Sequence, residues 1–175
     1  LSRAPEPPGE TSPENEREAR YRLHRRFDRM GRLVGDERMA RLFGSHVLVI
    51  GLGGVGSFAA ESLARSGIGR LTVLDFDRVC VTNANRQLQA LKHTVGQPKS
   101  VVLAERLRDI NPQARVQDLG LFYDADSSEE VLGGGLLGPP DFVVDAIDNI
   151  TAKCHLLSTC RARGLPVVSA TGASG

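Results

Sequence analysis

The run HVLVIGLGGVGSFAAESLARSG, residues 46–67, leaves this chain few choices of fold. Residues 46–50 have the length, β-branching and glycine boundary of a buried strand. Gly51, Gly53 and Gly56 follow in G-x-G-x-x-G spacing, with Gly54 inside the turn, and the chain then reads as helix until Gly67 closes it. A strand that enters a helix through a glycine turn opens a βα unit. The same alternation continues through RLTVLDF, PKSVVLAERLRDINP, ARVQDLG, DFVVDAID, TAKCHLLSTCRARG and LPVVSA. Leu103, Leu107 and Ile110 fall at helical spacing, and GGGLLGPP reads as a flexible connector. The pattern predicts an α/β fold: a doubly wound, mostly parallel sheet with a Rossmann-like half.

What precedes residue 46 reads differently. Residues 1–15 are rich in Pro, Glu, Ser and Gly and are expected to be a disordered tail. Residues 16–45 are expected to form a helical segment, with Tyr21, Leu23, Phe27 and Met30 as a broken apolar stripe and a short helix around DERMARLF. The α/β domain then occupies 46–175. At 175 residues and 41% hydrophobic, the chain supports one core. A net charge of +1 makes no global case for nucleic acid or membrane, though local patches remain open. No apolar run approaches the ~20 residues of a membrane span, and the start lacks a signal-peptide stretch. The three cysteines, Cys80, Cys154 and Cys160, form no CxxC pair. They suit a reducing compartment, the cytoplasm by default. Cys154 and Cys160 read as buried small hydrophobes. The absent initiator methionine, and an end at VVSATGASG just past a strand, suggest the front part of a longer protein.

The glycine turn points to a nucleotide. Gly51 permits the tight turn, Gly53 lets phosphates approach the backbone, and Gly56 lets helix and strand pack closely. The helix N-terminus adds free N–H groups and a positive dipole end. About twenty residues on, Asp75 ends the second strand, where a carboxylate accepts from ribose hydroxyls. NAD and ATP fit that feature equally. Asp77 reads either as a solvated loop residue or as part of the site.

The stretch NANRQ, residues 83–87, divides the alternatives. A nicotinamide enzyme has no use for a guanidinium just beyond the ribose strand. A triphosphate does, because Arg86 offers a planar fork of donors, and Asn83 and Asn85 add neutral ones. Lys99, at a helix start where the dipole disfavours a cation, is either a second phosphate ligand or a solvated surface lysine. Asp145 lies within the fourth strand and Asp148 just past its end, where open α/β sheets bind ligands. Asp148 there can hold Mg²⁺, while Asp148-Asn149 also reads as a helix N-cap.

GLGGVG, D-x-D-x-V-x-x-x-N-x-N-R-Q, GQPKS and DAIDN, in this order, resemble the ATP-binding half of the ThiF/MoeB-like superfamily, the ubiquitin-activating-enzyme fold, over roughly residues 26 to 172. There, ATP activates a carboxylate as an acyl-adenylate. The resemblance implies that Gly51, Gly53, Gly54 and Gly56 form the phosphate-side turn and that Asp75 meets the ribose. It implies that Thr82, Asn83, Asn85 and Arg86 line the nucleotide, Arg86 and Lys99 neutralise phosphates, Asp148 binds Mg²⁺ and Asn149 neighbours it. It also implies a homodimer, in which Arg29 of RFDRMGRLVG reaches the partner's ATP, with Arg26 and Arg32 as neighbours able to serve instead. The seven arginines of residues 17–32 read equally as a solvated helix face or an RNA-backbone contact.

RFDRMGRLVG, ARSGIG and DRVCVTNANRQLQAL are most similar to the tRNA threonylcarbamoyladenosine dehydratases within that superfamily. That likeness implies ATP-dependent activation of the threonine carboxylate on a modified adenosine beside the tRNA anticodon, followed by ring closure with loss of water. The tRNA-contacting elements and a cysteine belong to a C-terminal half that these residues do not include. Three alternatives stand beside it: adenylation of a ubiquitin-like or sulfur-carrier protein in a sulfur relay, an NAD(P)-binding oxidoreductase, and a non-catalytic nucleotide-binding scaffold. His24, His46, His93 and His155 lack metal spacing and read as packing or surface residues.

Overall fold

The computed structural model describes residues 25–171. The expected tail at 1–15, and the part of the basic helical segment before Arg25 with Tyr21, Leu23 and His24, lie outside the described residues. Five strands form one sheet: β1 His46–Ile50, β2 Arg70–Leu74, β3 Arg115–Leu119, β4 Phe142–Asp145 and β5 Val167–Ser169. Their order is β3-β2-β1-β4-β5, and every pairing is parallel. The expected doubly wound α/β fold is the one found. All five residues of β1 are buried, as a central strand covered on both faces requires.

Helices α1 (Asp28–Val34) and α2 (Asp36–Gly44) precede the sheet. Helices α3 (Gly54–Arg65) and α4 (Lys99–Ile110) cover one face, where Val49, Leu71, Leu103 and Leu107 meet. Helices α5 (Ser128–Leu132) and α6 (Ile150–Ala162) supply the other core, with Leu48, Ile50, Val143 and Leu156. Leu71, Leu103, Leu107 and Leu156 are all 0% exposed; burying such a side chain contributes about 1.5–3 kcal/mol.

Phe27 and Met39 anchor the first segment, and Phe27 meets Phe43 edge-on at 5.6 Å. Arg26 donates to the Ile110 carbonyl at 3.1 Å, which fixes this segment at the C-terminal end of α4. At the foot of β1, buried His46 is fixed from three sides. Its backbone N–H donates to Asp141 at 2.7 Å, Nδ1 donates to the Pro139 carbonyl at 3.3 Å, and Nε2 accepts from the Thr72 hydroxyl at 2.9 Å. A carbonyl only accepts, so Nδ1 carries the proton in the neutral ring. Burial holds the imidazole below its ordinary pKa.

Two expectations need correction. The connector at GGGLLGPP is not featureless: Gly135–Leu137 forms a 3-10 turn that buries Leu137. Cys160 is buried as expected, but Cys154 is exposed. Six residues of helix rotate a side chain by about 600°, a net turn of roughly 240°, so the two thiols cannot share a face.

Candidate functional site

The sheet order reverses at β1, which has β2 on one side and β4 on the other. Ligand crevices form at such points, beyond the carboxyl ends of the strands. A cavity of about 530 Å³ opens there. Its walls bring together Gly51, Gly53, Gly54, Asp75, Asp77, Asn83, Arg86, Lys99 and Asp148, which sequence reasoning had grouped.

The floor is wired through Asp75, only 7% exposed at the end of β2. One carboxylate oxygen accepts from Leu52 N–H at 2.7 Å, inside the glycine turn, and the other from Asp77 N–H at 2.8 Å. The strand end and the turn are thus one unit. Gly51 sits at φ +86°, and a Cβ there would stand 2.6 Å from the Ala146 carbonyl oxygen. A Cβ on Gly56 would meet the Gly51 carbonyl oxygen at 1.8 Å. Gly56 is therefore a packing glycine. Gly53 is the reverse case: it lines the cavity, and no protein atom lies within 4 Å of where its Cβ would be.

Lys99, the first residue of α4, is 6% exposed and donates from Nζ to Asp77 Oδ2 at 2.8 Å. That pairing offsets both its burial and its unfavourable place at the positive end of the helix dipole. Asp77, though exposed in its loop, is therefore an ion-paired residue of the cavity wall. Among the described residues Arg86 bonds only neutral oxygens, the Thr82 carbonyl at 3.2 Å and Asn85 Oδ1 at 3.0 Å. Asp148 is exposed on the opposite wall and has no hydrogen-bond or ion-pair partner among the described residues. The cavity thus holds an unanswered guanidinium and an unanswered carboxylate.

Other grouped residues lie outside the lining. Asn149 caps α6, accepting from Ala152 N–H at 3.0 Å. Thr82 donates its hydroxyl to Cys80 Sγ at 3.2 Å, a bond that pulls this exposed thiol below its ordinary pKa. Asn85 holds Arg86, and within the cavity wall Asn83 accepts from Cys80 N–H at 2.9 Å, bracing the loop. Arg29 is exposed on α1 and is not among the lining residues. Arg26 is held by Ile110 and Arg32 by Asp28, whereas Arg29 has no partner among the described residues.

The structure adds residues that sequence patterns passed over. Phe76 and Phe122 meet edge-on at 5.1 Å on the cavity wall while staying 58% and 41% exposed. Gln87, also on the wall, keeps a buried Oε1 with no hydrogen-bond partner. Behind the wall, fully buried Asp145 accepts from Lys153 Nζ at 2.7 Å and from the Ser169 hydroxyl at 2.6 Å. Lys153 also donates to the Ala170 carbonyl at 3.0 Å, which holds Ala170 beside the cavity.

The residues present fit a nucleoside triphosphate. Gly53 leaves a cradle that a Cβ would fill, α3 offers its N-terminus, and the exposed ring pair stands beside Asp75 on the same cavity. Among the described residues no group of three or more His, Cys, Asp or Glu could hold a metal by itself. Asp148 alone fits Mg²⁺, which takes one or two carboxylates and fills its sphere with phosphates and water. No helix among the described residues is long and apolar enough to cross a membrane.

Comparison with known proteins agrees with this geometry. The model of the ThiF family matches residues 27–175. The tRNA threonylcarbamoyladenosine dehydratase of Bacillus subtilis is 47% identical over 152 residues, covering 87% of this chain and 58% of that protein. The crystal structure of the Escherichia coli tRNA N6-threonylcarbamoyladenosine dehydratase in complex with ATP superposes with a TM-score of 0.82 at 40% identity, covering 95% of this chain and 64% of that one. The molybdopterin-synthase adenylyltransferase of Escherichia coli is 38% identical over 126 residues, or 71% of this chain and 48% of that protein. The chain therefore spans about half the length of these curated relatives, 58% of the first and 48% of the last.

Proposed function

The chain belongs to the ThiF family, and we propose that it is the ATP-binding half of a tRNA threonylcarbamoyladenosine dehydratase. In this reading the protein works in the cytoplasm as a homodimer and activates the threonylcarbamoyl carboxylate on the tRNA adenosine beside the anticodon. The observation that carries the reading is the union of a glycine turn open at Gly53 with an uncompensated Arg86 and an unpartnered Asp148 in one cavity. Family membership and the two cations in that cavity favour ATP over a nicotinamide cofactor.

A carboxylate is a poor electrophile, and ATP supplies the adenylyl group that gives it a leaving group. Arg86 holds phosphate oxygens through its fork of donors. Lys99, already fixed by Asp77, adds a second positive charge without a large change of position. Asp148 would hold Mg²⁺, which would offset phosphate charge, while Asp75 accepts from the ribose and Phe76 and Phe122 present their faces and edges to the base. Arg29 reaches the cavity of a second copy, a role supported by its exposure and its lack of any partner on its own chain among the described residues.

Calorimetry of Mg-ATP tests the reading, with NADH as the control ligand. Arg86→Ala removes a charged donor that has no structural carboxylate partner. It is expected to cost about 2 kcal/mol of ATP affinity, roughly thirtyfold, while leaving the melting temperature unchanged. NADH binding that ignores Arg86 would sink it. Adenylation of a sulfur-carrier protein is the second reading, favoured by the likeness to the molybdopterin-synthase adenylyltransferase. It predicts AMP on a carrier protein's C-terminus, where the first predicts tRNA-dependent AMP release.

A further inference from the structure

A second cleft, of about 440 Å³, lies away from the nucleotide cavity. It is lined by Arg26, Phe27, Arg65, Arg106, Asp109 and Ile110. Arg65 ends α3, whereas Gly54 begins it beside the nucleotide cavity; at 1.5 Å per residue the two ends stand about 17 Å apart. None of these arginines lines the nucleotide cavity.

Each guanidinium is held in place by a bond that leaves donors unused. Arg65 and Arg106 share the Glu61 carboxylate: Arg65 Nη2 donates at 2.7 Å and Arg106 Nε at 2.5 Å. Arg106 first and Arg65 second hold the Glu61 carboxyl below the usual carboxylate range. One carboxylate thus answers two cations. Among the described residues Arg26 bonds only a neutral carbonyl, that of Ile110 at 3.1 Å. Glu61 does not line the cleft; Asp109 does, and it has no ion-pair partner among the described residues. Three fixed guanidiniums therefore stand against two carboxylates, Glu61 and Asp109.

We infer that this cleft is a phosphate site, the docking point for a backbone phosphodiester of the RNA substrate, and this rests on the tRNA reading proposed above. Prepositioned arginines suit a phosphate because their orientation is already set before it arrives. The distance from the nucleotide cavity favours a polymer over a free anion. A small phosphate compound can occupy one site or the other, whereas a folded RNA spans both. Its salt dependence follows from release of counterions from the phosphates.

The test is fluorescence anisotropy of labelled tRNA with the full chain across a salt series, with free tripolyphosphate as competitor. Arg106→Gln is expected to weaken RNA binding roughly tenfold and to reduce the salt slope by about 0.9. Asp109→Asn is expected to tighten binding, because it removes opposing charge without touching any structural bond. Glu130→Gln, the same charge change on α5 across the sheet, serves as the control and is expected to leave binding within about twofold. Mg-ATP affinity in each variant reports that the fold is intact. If RNA binds the parent and these variants match the control, the cleft is not the docking point and the tRNA reading survives. If the parent binds no RNA, this docking assignment is overturned, while the tRNA reading is decided separately by tRNA-dependent AMP release. If tripolyphosphate binds with the same Arg106 dependence and RNA does not compete with it, the cleft takes a small anion and the polymer assignment is overturned.

Discussion

Asp75 and Asp148 are carboxylates on one cavity, yet Asp75 on the floor spends both oxygens on backbone N–H groups and Asp148 at the rim has no partner among the described residues. The same division separates the glycines. Gly51 and Gly56 press against protein backbone, while Gly53 faces open space. The floor therefore defines where a ligand's atoms go, through contacts that are equally part of the fold. The rim supplies charge that the fold does not need. Substitutions on the floor should act on stability first, and substitutions on the rim on binding alone.

The largest break is expected at Gly56→Ala. The new Cβ would lie 1.8 Å from a backbone oxygen of Gly51, so the turn itself must move. Chemical denaturation should show a loss on the order of 3 kcal/mol or more, and failure to accumulate as soluble protein would agree with it. Asp75→Ala comes next. It leaves the N–H groups of Leu52 and Asp77 without their acceptor, at about 1–3 kcal/mol for a buried donor. Urea unfolding at unchanged m-value would register it, and a variant as stable as the parent would show that the carboxylate is not wiring the floor.

Gly53→Ala sharpens the comparison from the other side. Its φ is −73°, which alanine adopts, and the added methyl meets no protein atom. Stability should stay within about 0.5 kcal/mol of the parent, whereas Mg-ATP affinity should fall roughly tenfold or more, because the methyl occupies the phosphates' approach. Equal ATP titrations for parent and variant would remove Gly53 from the site.

How much of this was legible in the sequence depends on range. The β1–turn–α3 unit was readable because strand, glycines and helix are neighbours along the chain, and the same holds for Asp75 and Arg86. The Lys99–Asp77 pair was not, because it depends on local pairing: Lys99 N–H donates to the Asp77 carbonyl at 3.0 Å and Val79 N–H to the Gln97 carbonyl at 2.9 Å. The Phe76–Phe122 pair requires β2 and β3 to be neighbours, a fact of sheet order and not of spacing. Lys153 sits eight residues beyond Asp145 and was hidden by a helix pattern that gave it no special weight. Arg26, Arg65 and Arg106 come from three separate elements, and only the fold gathers them.

The smallest expected effect is on the wired half, at the far end of β1 from the glycine turn, and its lever is pH. His46 is held neutral by burial, with Thr72 and Pro139 as its ring partners. Its folded pKa lies below the unfolded value of about 6.5, so in that window the unfolded chain binds more protons than the folded one. Stability then rises with pH. The contribution is present above the unfolded pKa and is lost as pH falls from about 6.5 toward the lower folded value. Thermal melts between pH 7.5 and 5.5 should show this loss in the parent, and a smaller one in His46→Gln, whose amide also fits between a hydroxyl and a carbonyl but does not titrate. A His46→Gln profile parallel to the parent's would place the acid sensitivity elsewhere and leave the foot of β1 out of the wiring.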